Sequence, residues 1–406
     1  LNTRRTSARP SQVVILWGTG LGGITTPDNQ APPAQDLRSR YNVRIFTGGR
    51  EVRNILYAGR TPCCAGVDQI VFEVNSDSPV GCAVPVQVQS VASYSNTVTM
   101  SIDAQGAGCN DPGGVSNVLS GGGKVGAIAL FRADVAAALG GMNLNLTVDL
   151  GLALFQELRA GGDTGYHPLL SLPPVGTCQD YTGDIDLSGL LGGGGSVPRS
   201  GYGGRYLDAG RELTIIGPGG ARRTIGRLDA SKLETPYAAL LGGSIPGFAT
   251  ETQPLFLEPG EYRISAPGGA DVRSFEVRDE LAVPATWTNR SQTSILDRAA
   301  GLRFNWTGGN AVTQSLLIAG FATNTRTKGS GGFTCVVSLN DGAFTVPPPT
   351  LANIPRTEGS PESDAFGVLV FATVPKAQLL KPFIADGLDY GFVIPGTASV
   401  KTVSVR

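Results

Sequence analysis

Histidine is almost missing from this chain: one residue, His167, in 406. A Ser-His-Asp or Cys-His nucleophile would have to be built around it, yet in "GDTGYHPLL" it precedes a proline in a turn-rich stretch, the setting of a solvated loop residue. The G-x-S-x-G nucleophile elbow is absent as well. Charge is scarce, at 16% Asp, Glu, Lys and Arg with a net charge of −1, and the basic residues are scattered. That leaves no electrostatic footprint for a nucleic-acid backbone or an anionic membrane surface. No uninterrupted apolar run approaches the roughly 20 residues that a bilayer-spanning helix needs. Methionine occurs twice and the first residue is Leu1, which reads as a processed or truncated chain whose signal peptide, if any, is gone.

Glycine and proline, by contrast, are plentiful, at 57 and 27 residues, and the apolar fraction is 41% with a mean hydropathy of +0.04. Few charges and many turn formers suit short strands joined by tight turns, with enough apolar residues for packed cores. The length favours two to four domains.

In "VVILWGTGLGGITTP", Gly18, Gly20 and Gly23 satisfy the G-x-G-x-x-G spacing of a dinucleotide loop. The glycines work only if a helix opens on the last of them. Pro27, Pro32 and Pro33 stand where that helix would run, and proline removes a backbone donor and clashes with the preceding turn. The reading is therefore a turn in which glycines permit positive φ. The tract "GLLGGGGSVPRSGYGGR", Gly189 to Arg205, lacks the Gly-Lys-Ser/Thr ending of a phosphate loop and reads as a flexible surface loop.

Three segments separate along the chain: 1–106, 107–280 and 281–406. In the first, "VVILW", "YNVRIF", "RNILYAG", "QIVFEV", "VPVQVQ" and "NTVTMSI" are short, rich in β-branched residues and mostly alternating, the period of half-buried antiparallel strands. In the second, "LEPGEYRIS" and "GGADVRSFEVR" form a hairpin signature, and only "ADVAAAL" near Val135 suggests a helix, a short one that Gly140 and Gly141 would stop. The third carries "GLRFNWTGG", which places Phe304 and Trp306 on one face of a strand, as core rather than as a sugar platform. The whole reads as all-β and multi-domain, built of immunoglobulin-like antiparallel β-sandwiches.

The first segment also carries a family resemblance. "GTGLG", "VRIFTGGREVRNILYAG", "CCAGVDQIVFEV", "GCAVPVQVQ" and "SNTVTMSI", in that order over residues 10–104, resemble the Ig-like domain, related to IPT/TIG domains, of uncharacterised secreted acidobacterial proteins. The resemblance implies an immunoglobulin-like fold and an extracellular, bacterial setting, and brings no catalytic residues. The leading strand of that family is shortened here to "LNTRRTSARPSQ", which would leave an edge of the sandwich unpaired.

Six cysteines, Cys63, Cys64, Cys82, Cys109, Cys178 and Cys335, are even in number and show no C-x-x-C spacing. With one histidine in the chain, disulfides in an oxidising compartment fit the cysteines better than a zinc cluster, with six buried free thiols as the alternative. Cys82 opens one strand and Cys63 and Cys64 immediately precede another, so Cys82 is expected to pair with Cys63 or Cys64. "DYTGDIDLSG" brings Asp180, Asp184 and Asp186 together as a candidate Ca²⁺ site, although the EF-hand ligand order is not met. With the bacterial origin that the resemblance implies, the sequons at Asn145, Asn289 and Asn305 carry no weight.

These features point away from enzymatic activity and towards a secreted structural or adhesive protein: a surface scaffold or filament subunit that self-associates or meets other cell-surface proteins, with no cofactor beyond the Ca²⁺ candidate. The rival is a carbohydrate-active protein, a glycan-binding module or a hydrolase using two carboxylates. One assembly route is visible. The tail "SVKTVSVR" either closes its own domain or adds a strand to the open edge of a neighbouring subunit, end to end.

Overall fold

A computed structural model describes residues 1–27, 29–109, 118, 120–139, 142–160, 171–182, 203–228, 236–245, 252–361, 364–376 and 382–406. Among these residues nearly all regular structure is β, in several sheets, with 3-10 turns, helical residues at Val118, Ser120 and Gly121, and a four-residue helix at Pro348–Leu351. Frequent glycine and proline between short β-branched runs leave little else to form.

The first segment packs two antiparallel sheets across one core. One sheet contains Val13–Gly18, Asp68–Glu73 and Ile55–Arg60; the other is built on Gly81–Ser90 with Arg44–Thr47 and Val98–Ile102. Ala58, Ile70 and Phe72 from the first meet Ile45, Val84, Val86 and Ile102 from the second. The polar N-terminal stretch is not idle. Ala8 bridges Ile102 in parallel, and Asn2 exchanges side-chain hydrogen bonds with the backbone of Ser101, donating to its carbonyl at 2.8 Å and accepting from its amide at 2.8 Å. This covers the Val98–Ile102 edge and leaves Val13–Gly18 at the edge of its own sheet.

Of the remaining described strands, Ala285–Trp287, Leu302–Gly308 and Ala343–Val346 form a separate sheet of three, and the other 15 join into one sheet that runs from Thr177–Thr182 to Phe275–Leu281. Its spine is a hairpin of two 17-residue strands, Gly123–Leu139 and Met142–Leu158, paired from Gly123 opposite Leu158 to Leu139 opposite Met142. "ADVAAAL" is thus strand, not helix: pairing on both sides outweighs the weak local preference of an alanine run. The expected hairpin of the second segment forms between Gly260–Ala266 and Phe275–Leu281.

Two large cores, beside a small cluster of Val125, Leu158 and Phe392, pack against this sheet, and each draws residues from more than one of the linear segments. One gathers Phe155, Leu213, Ile225, Tyr262 and Phe275 together with Phe383 and Val393 from near the C-terminus. The other gathers Phe304, Trp306, Phe333 and Phe371 together with Cys178. The 16-residue strand Tyr390–Val405 crosses between them, placing Val393 in the first and Val403 and Val405 in the second. It runs parallel to Gly123–Leu139 and antiparallel to Ala365–Pro375. The tail is therefore an interior strand of its own sheet, with both edges hydrogen-bonded. This corrects the end-to-end route, because a strand already paired on both sides has no free groups to donate.

All six cysteines are paired: Cys63–Cys64, Cys82–Cys109 and Cys178–Cys335. The expected partner of Cys82 was wrong for a topological reason. Asp68–Glu73 and Gly81–Ser90 belong to different sheets, so Cys63 and Cys64 lie at a hairpin tip away from Cys82. Gly81 instead pairs with Ile102, and the chain beyond it returns Cys109 to a Cα separation of 5.2 Å from Cys82. Disulfides throughout fit an oxidising, extracellular setting.

Candidate functional site

The glycine loop after Val13–Gly18 is a closed clasp. Gly20 and Gly22 adopt φ of +90° and +155°, and a Cβ on Gly22 would lie 2.2 Å from the Tyr41 ring. The Leu21 amide donates to Asp68 Oδ2 at 2.8 Å, and Asp68, fully buried, is also ion-paired with the buried Arg60. Arg60 Nη2 donates to the Gly22 carbonyl at 3.1 Å, Ser90 Oγ to the Leu21 carbonyl at 2.6 Å and the Tyr41 hydroxyl to the Gly23 carbonyl at 2.8 Å. The loop's anion is thus the protein's own carboxylate. This is the turn that the prolines implied, with Asp68 in the place a phosphate would need.

Of the Ca²⁺ candidates, Asp184 and Asp186 lie outside the described residues. Asp180 lies in the strand Thr177–Thr182, opposite Phe333 and two residues from the Cys178–Cys335 bridge. Only 5% exposed, it faces the first segment: the Thr97 hydroxyl donates to Oδ1, and Asn353 Nδ2 donates to Oδ2 at 3.2 Å while also donating to the Ser95 carbonyl at 2.9 Å. Phe46, Pro85, Gln87 and Pro349 close the surroundings, leaving a cavity of about 10 Å³, room for one water at most. Both carboxylate oxygens are committed to this junction. Among the described residues no group of three His, Cys, Asp or Glu is placed to hold a metal.

Burial raises the Asp180 pKa, against the lowering effect of the Thr97 and Asn353 hydrogen bonds. A carboxyl whose folded pKa lies above its unfolded value costs stability as pH rises between the two, because the unfolded chain releases its proton first. Asp180→Asn removes that cost, and the amide can still engage both neighbours, since the Thr97 hydroxyl accepts as well as donates. We expect Asp180→Asn to raise the melting temperature at neutral pH by about 2–4 °C, the shift that ~1 kcal/mol produces in a domain of this order of size, and to leave it unchanged well below pH ~4. Differential scanning calorimetry across pH checks this; a variant less stable than wild type at neutral pH contradicts the raised pKa of Asp180.

The third place is the edge strand itself. Among the described strands Val13–Gly18 pairs only with Asp68–Glu73, and its outward side chains Val13, Ile15 and Trp17 are 49%, 52% and 53% exposed, while Val14 and Leu16 pack against the core. Trp17 was not singled out by the motif reading, although a signal existed. "VVILW" is the one strand of the segment with no polar residue on either face, and a strand at a sheet edge needs only one apolar face. Phe304 and Trp306, by contrast, are buried as expected, at 0% and 3% exposure. The Asn289 amide is buried as well, donating to the Arg303 carbonyl and accepting from the Asn305 amide and the Trp287 indole, so that sequon is internal. His167 lies outside the described residues.

No family model matches the chain, and no curated protein does. Among solved structures, an endo-fucoidan hydrolase of glycoside hydrolase family 107 aligns at 11% identity over 98% of this chain and 43% of its own, with a TM-score of 0.14. A DUF4785 family protein from Legionella pneumophila aligns at 9% identity, 92% and 81% coverage and a TM-score of 0.14. Domains 4–9 of the surface layer protein SbsC align at 11% identity, 96% and 48% coverage and a TM-score of 0.15. This chain thus spans less than half of the fucoidan hydrolase. At such TM-scores none of these likenesses carries an argument.

Proposed function

We propose that this chain is a secreted, non-enzymatic structural or adhesive module of a bacterial cell surface, with an immunoglobulin-like sandwich as its first segment, and that it self-associates through the edge strand Val13–Gly18. The observation that carries this reading is the strand's combination of an unpaired edge with the exposed apolar row Val13, Ile15 and Trp17. Proteins normally blunt such an edge with charge, proline or a covering segment; Val13–Gly18 carries neither charge nor proline, and no described segment covers its edge. The occupant that fits is a second copy of the same strand, running antiparallel. Val13–Gly18 bears no charge, so self-pairing opposes no like charges, and it extends the apolar row across the contact.

The carbohydrate reading has one feature in its favour, the exposed Trp17 indole, which is the kind of aromatic face on which a sugar ring can rest. The described groove beside Pro259, Glu280, Val283 and Asn310 holds one carboxylate, Glu280, where hydrolysis needs two. The two readings part in one experiment. Sedimentation of the intact chain should show reversible association, and Ile15→Lys, which places like charges near each other across the strand pair, should weaken it by at least about tenfold in Kd. A chain that stays monomeric at high concentration overturns the self-pairing. Binding on a glycan array that Trp17→Ala abolishes would install the carbohydrate reading in its place.

A further inference from the structure

The three disulfides differ in what they do for the chain. Cys178–Cys335 closes a separation of 157 residues and Cys82–Cys109 one of 27, so each restricts the unfolded chain. Cys63–Cys64 joins neighbours in sequence. It closes no loop of chain and so adds nothing to the fold by that route. Access divides them in the same way. Cys178 and Cys335 are 4% and 0% exposed and Cys82 and Cys109 are half-buried, whereas Cys63 and Cys64 are both exposed, between exposed Pro62 and Ala65. The pair sits at the tip of the hairpin between Ile55–Arg60 and Asp68–Glu73, a tip closed by the Thr61 amide donating to the Val67 carbonyl at 3.1 Å and by the Arg60–Asp68 ion pair. The base of the tip is therefore fixed independently of the sulfur–sulfur bond.

We propose that Cys63–Cys64 is a redox-active surface site that exchanges with dithiols, of a protein or of a small molecule, while the other two disulfides stay closed. A thiolate of the dithiol attacks one sulfur, the Cys63–Cys64 bond breaks and a mixed disulfide forms. The second thiolate of the dithiol then displaces the cysteine, leaving two cysteine thiols and an oxidised dithiol. Two electrons and two protons pass from the dithiol to the protein. The surroundings choose the sulfur. The Thr61 hydroxyl lies 3.4 Å from Cys63 Sγ and is placed to donate to it, with no such donor described for Cys64. A hydroxyl donor stabilises developing thiolate charge, so Cys63 is the leaving sulfur and Cys64 the one attacked.

The test uses the intact, folded chain. Brief exposure to dilute dithiothreitol, alkylation of the freed thiols and peptide mapping should find Cys63 and Cys64 labelled, with Cys82–Cys109 and Cys178–Cys335 intact and the melting temperature unchanged. Labelling of Cys63 and Cys64 should outpace the other four cysteines by at least on the order of tenfold. Equal labelling of all six, or none at Cys63 and Cys64, overturns the proposal. A limiting monothiol, glutathione, should be trapped on Cys64, and Thr61→Val should slow that step while leaving the fold intact. Capture on Cys63, or a Thr61→Val rate equal to wild type, overturns the assignment of the attacked sulfur.

Discussion

Asp68→Ala should destabilise the first segment by about 3–5 kcal/mol, the usual cost of leaving one half of a buried ion pair alone. The substitution strands the guanidinium of Arg60, a residue only 8% exposed, and at the same stroke releases the Leu21 amide that holds the glycine loop. Arg60→Leu together with Asp68→Ala should recover part of the loss, because removing both charges also removes the uncompensated one. Recovery should stop short of wild type, since Leu21 N–H would still lack its acceptor and the Gly22 carbonyl its donor. Urea unfolding gives the free energies, and hydrogen exchange at the Leu21 amide reports the clasp directly. If Asp68→Ala costs under about 1 kcal/mol, in the range of a surface pair, the clasp does not hold the loop.

How far the sequence could be read follows from the range of the interactions involved. Local alternation exposed the strands, and local proline chemistry reduced "GTGLGG" to a turn, because both depend on neighbours a few residues apart. Phe304 and Trp306 were legible as core for the same reason, being two apart on one strand. What failed was pairing at a distance. Cys82 was matched to the cysteines of the preceding strand, but that strand belongs to the opposite sheet, a fact that no spacing records. The alanine run at Ala136–Ala138 has no strand preference of its own and takes its conformation from Met142–Leu158, opposite all three, and from Tyr390–Val405, opposite Ala136. Asp180 stood out only as one of three neighbouring acids; its partners Thr97 and Asn353 lie 83 and 173 residues away. Asp149 was not legible at all, a lone acid in an apolar run whose partners, Arg132 and the adjacent amides of Phe256 and Leu257, come from two separate stretches of chain.

Those partners make Asp149 the second large effect. It is fully buried in the long hairpin, cross-strand from Arg132, whose Nε and Nη2 reach Oδ1 and Oδ2 at 2.8 and 3.1 Å. Oδ2 also accepts from the amides of Phe256 and Leu257, the latter at 2.7 Å, which pins the return of the chain into Gly260–Ala266 and with it Phe256, Leu257 and Tyr262 in the core. Asp149→Ala leaves the Arg132 guanidinium with Glu258, 2.9 Å from its Nη1, as its remaining described ion-pair partner and strips two buried amides of their acceptor. A loss of about 2–5 kcal/mol is expected, with residues 252–266 the first to lose hydrogen-exchange protection. The pH dependence has a definite sign. Burial alone would raise the Asp149 pKa, but the hydrogen bonds from Arg132 and the two amides outweigh it and hold the carboxyl below its ordinary value. Stability from such a group is complete above the unfolded pKa and is lost as pH falls through the folded one. Acidification below about pH 4 should therefore loosen 252–266 while the Asp180 junction, whose carboxyl is raised, stays closed. Exchange measured by mass spectrometry at pH ~3 and pH ~6 separates the two regions, after correction for the intrinsic rate of each peptide. Should residues 95–97 and 350–353 open before 252–266 on acidification, the opposite signs assigned to these two carboxyls are wrong.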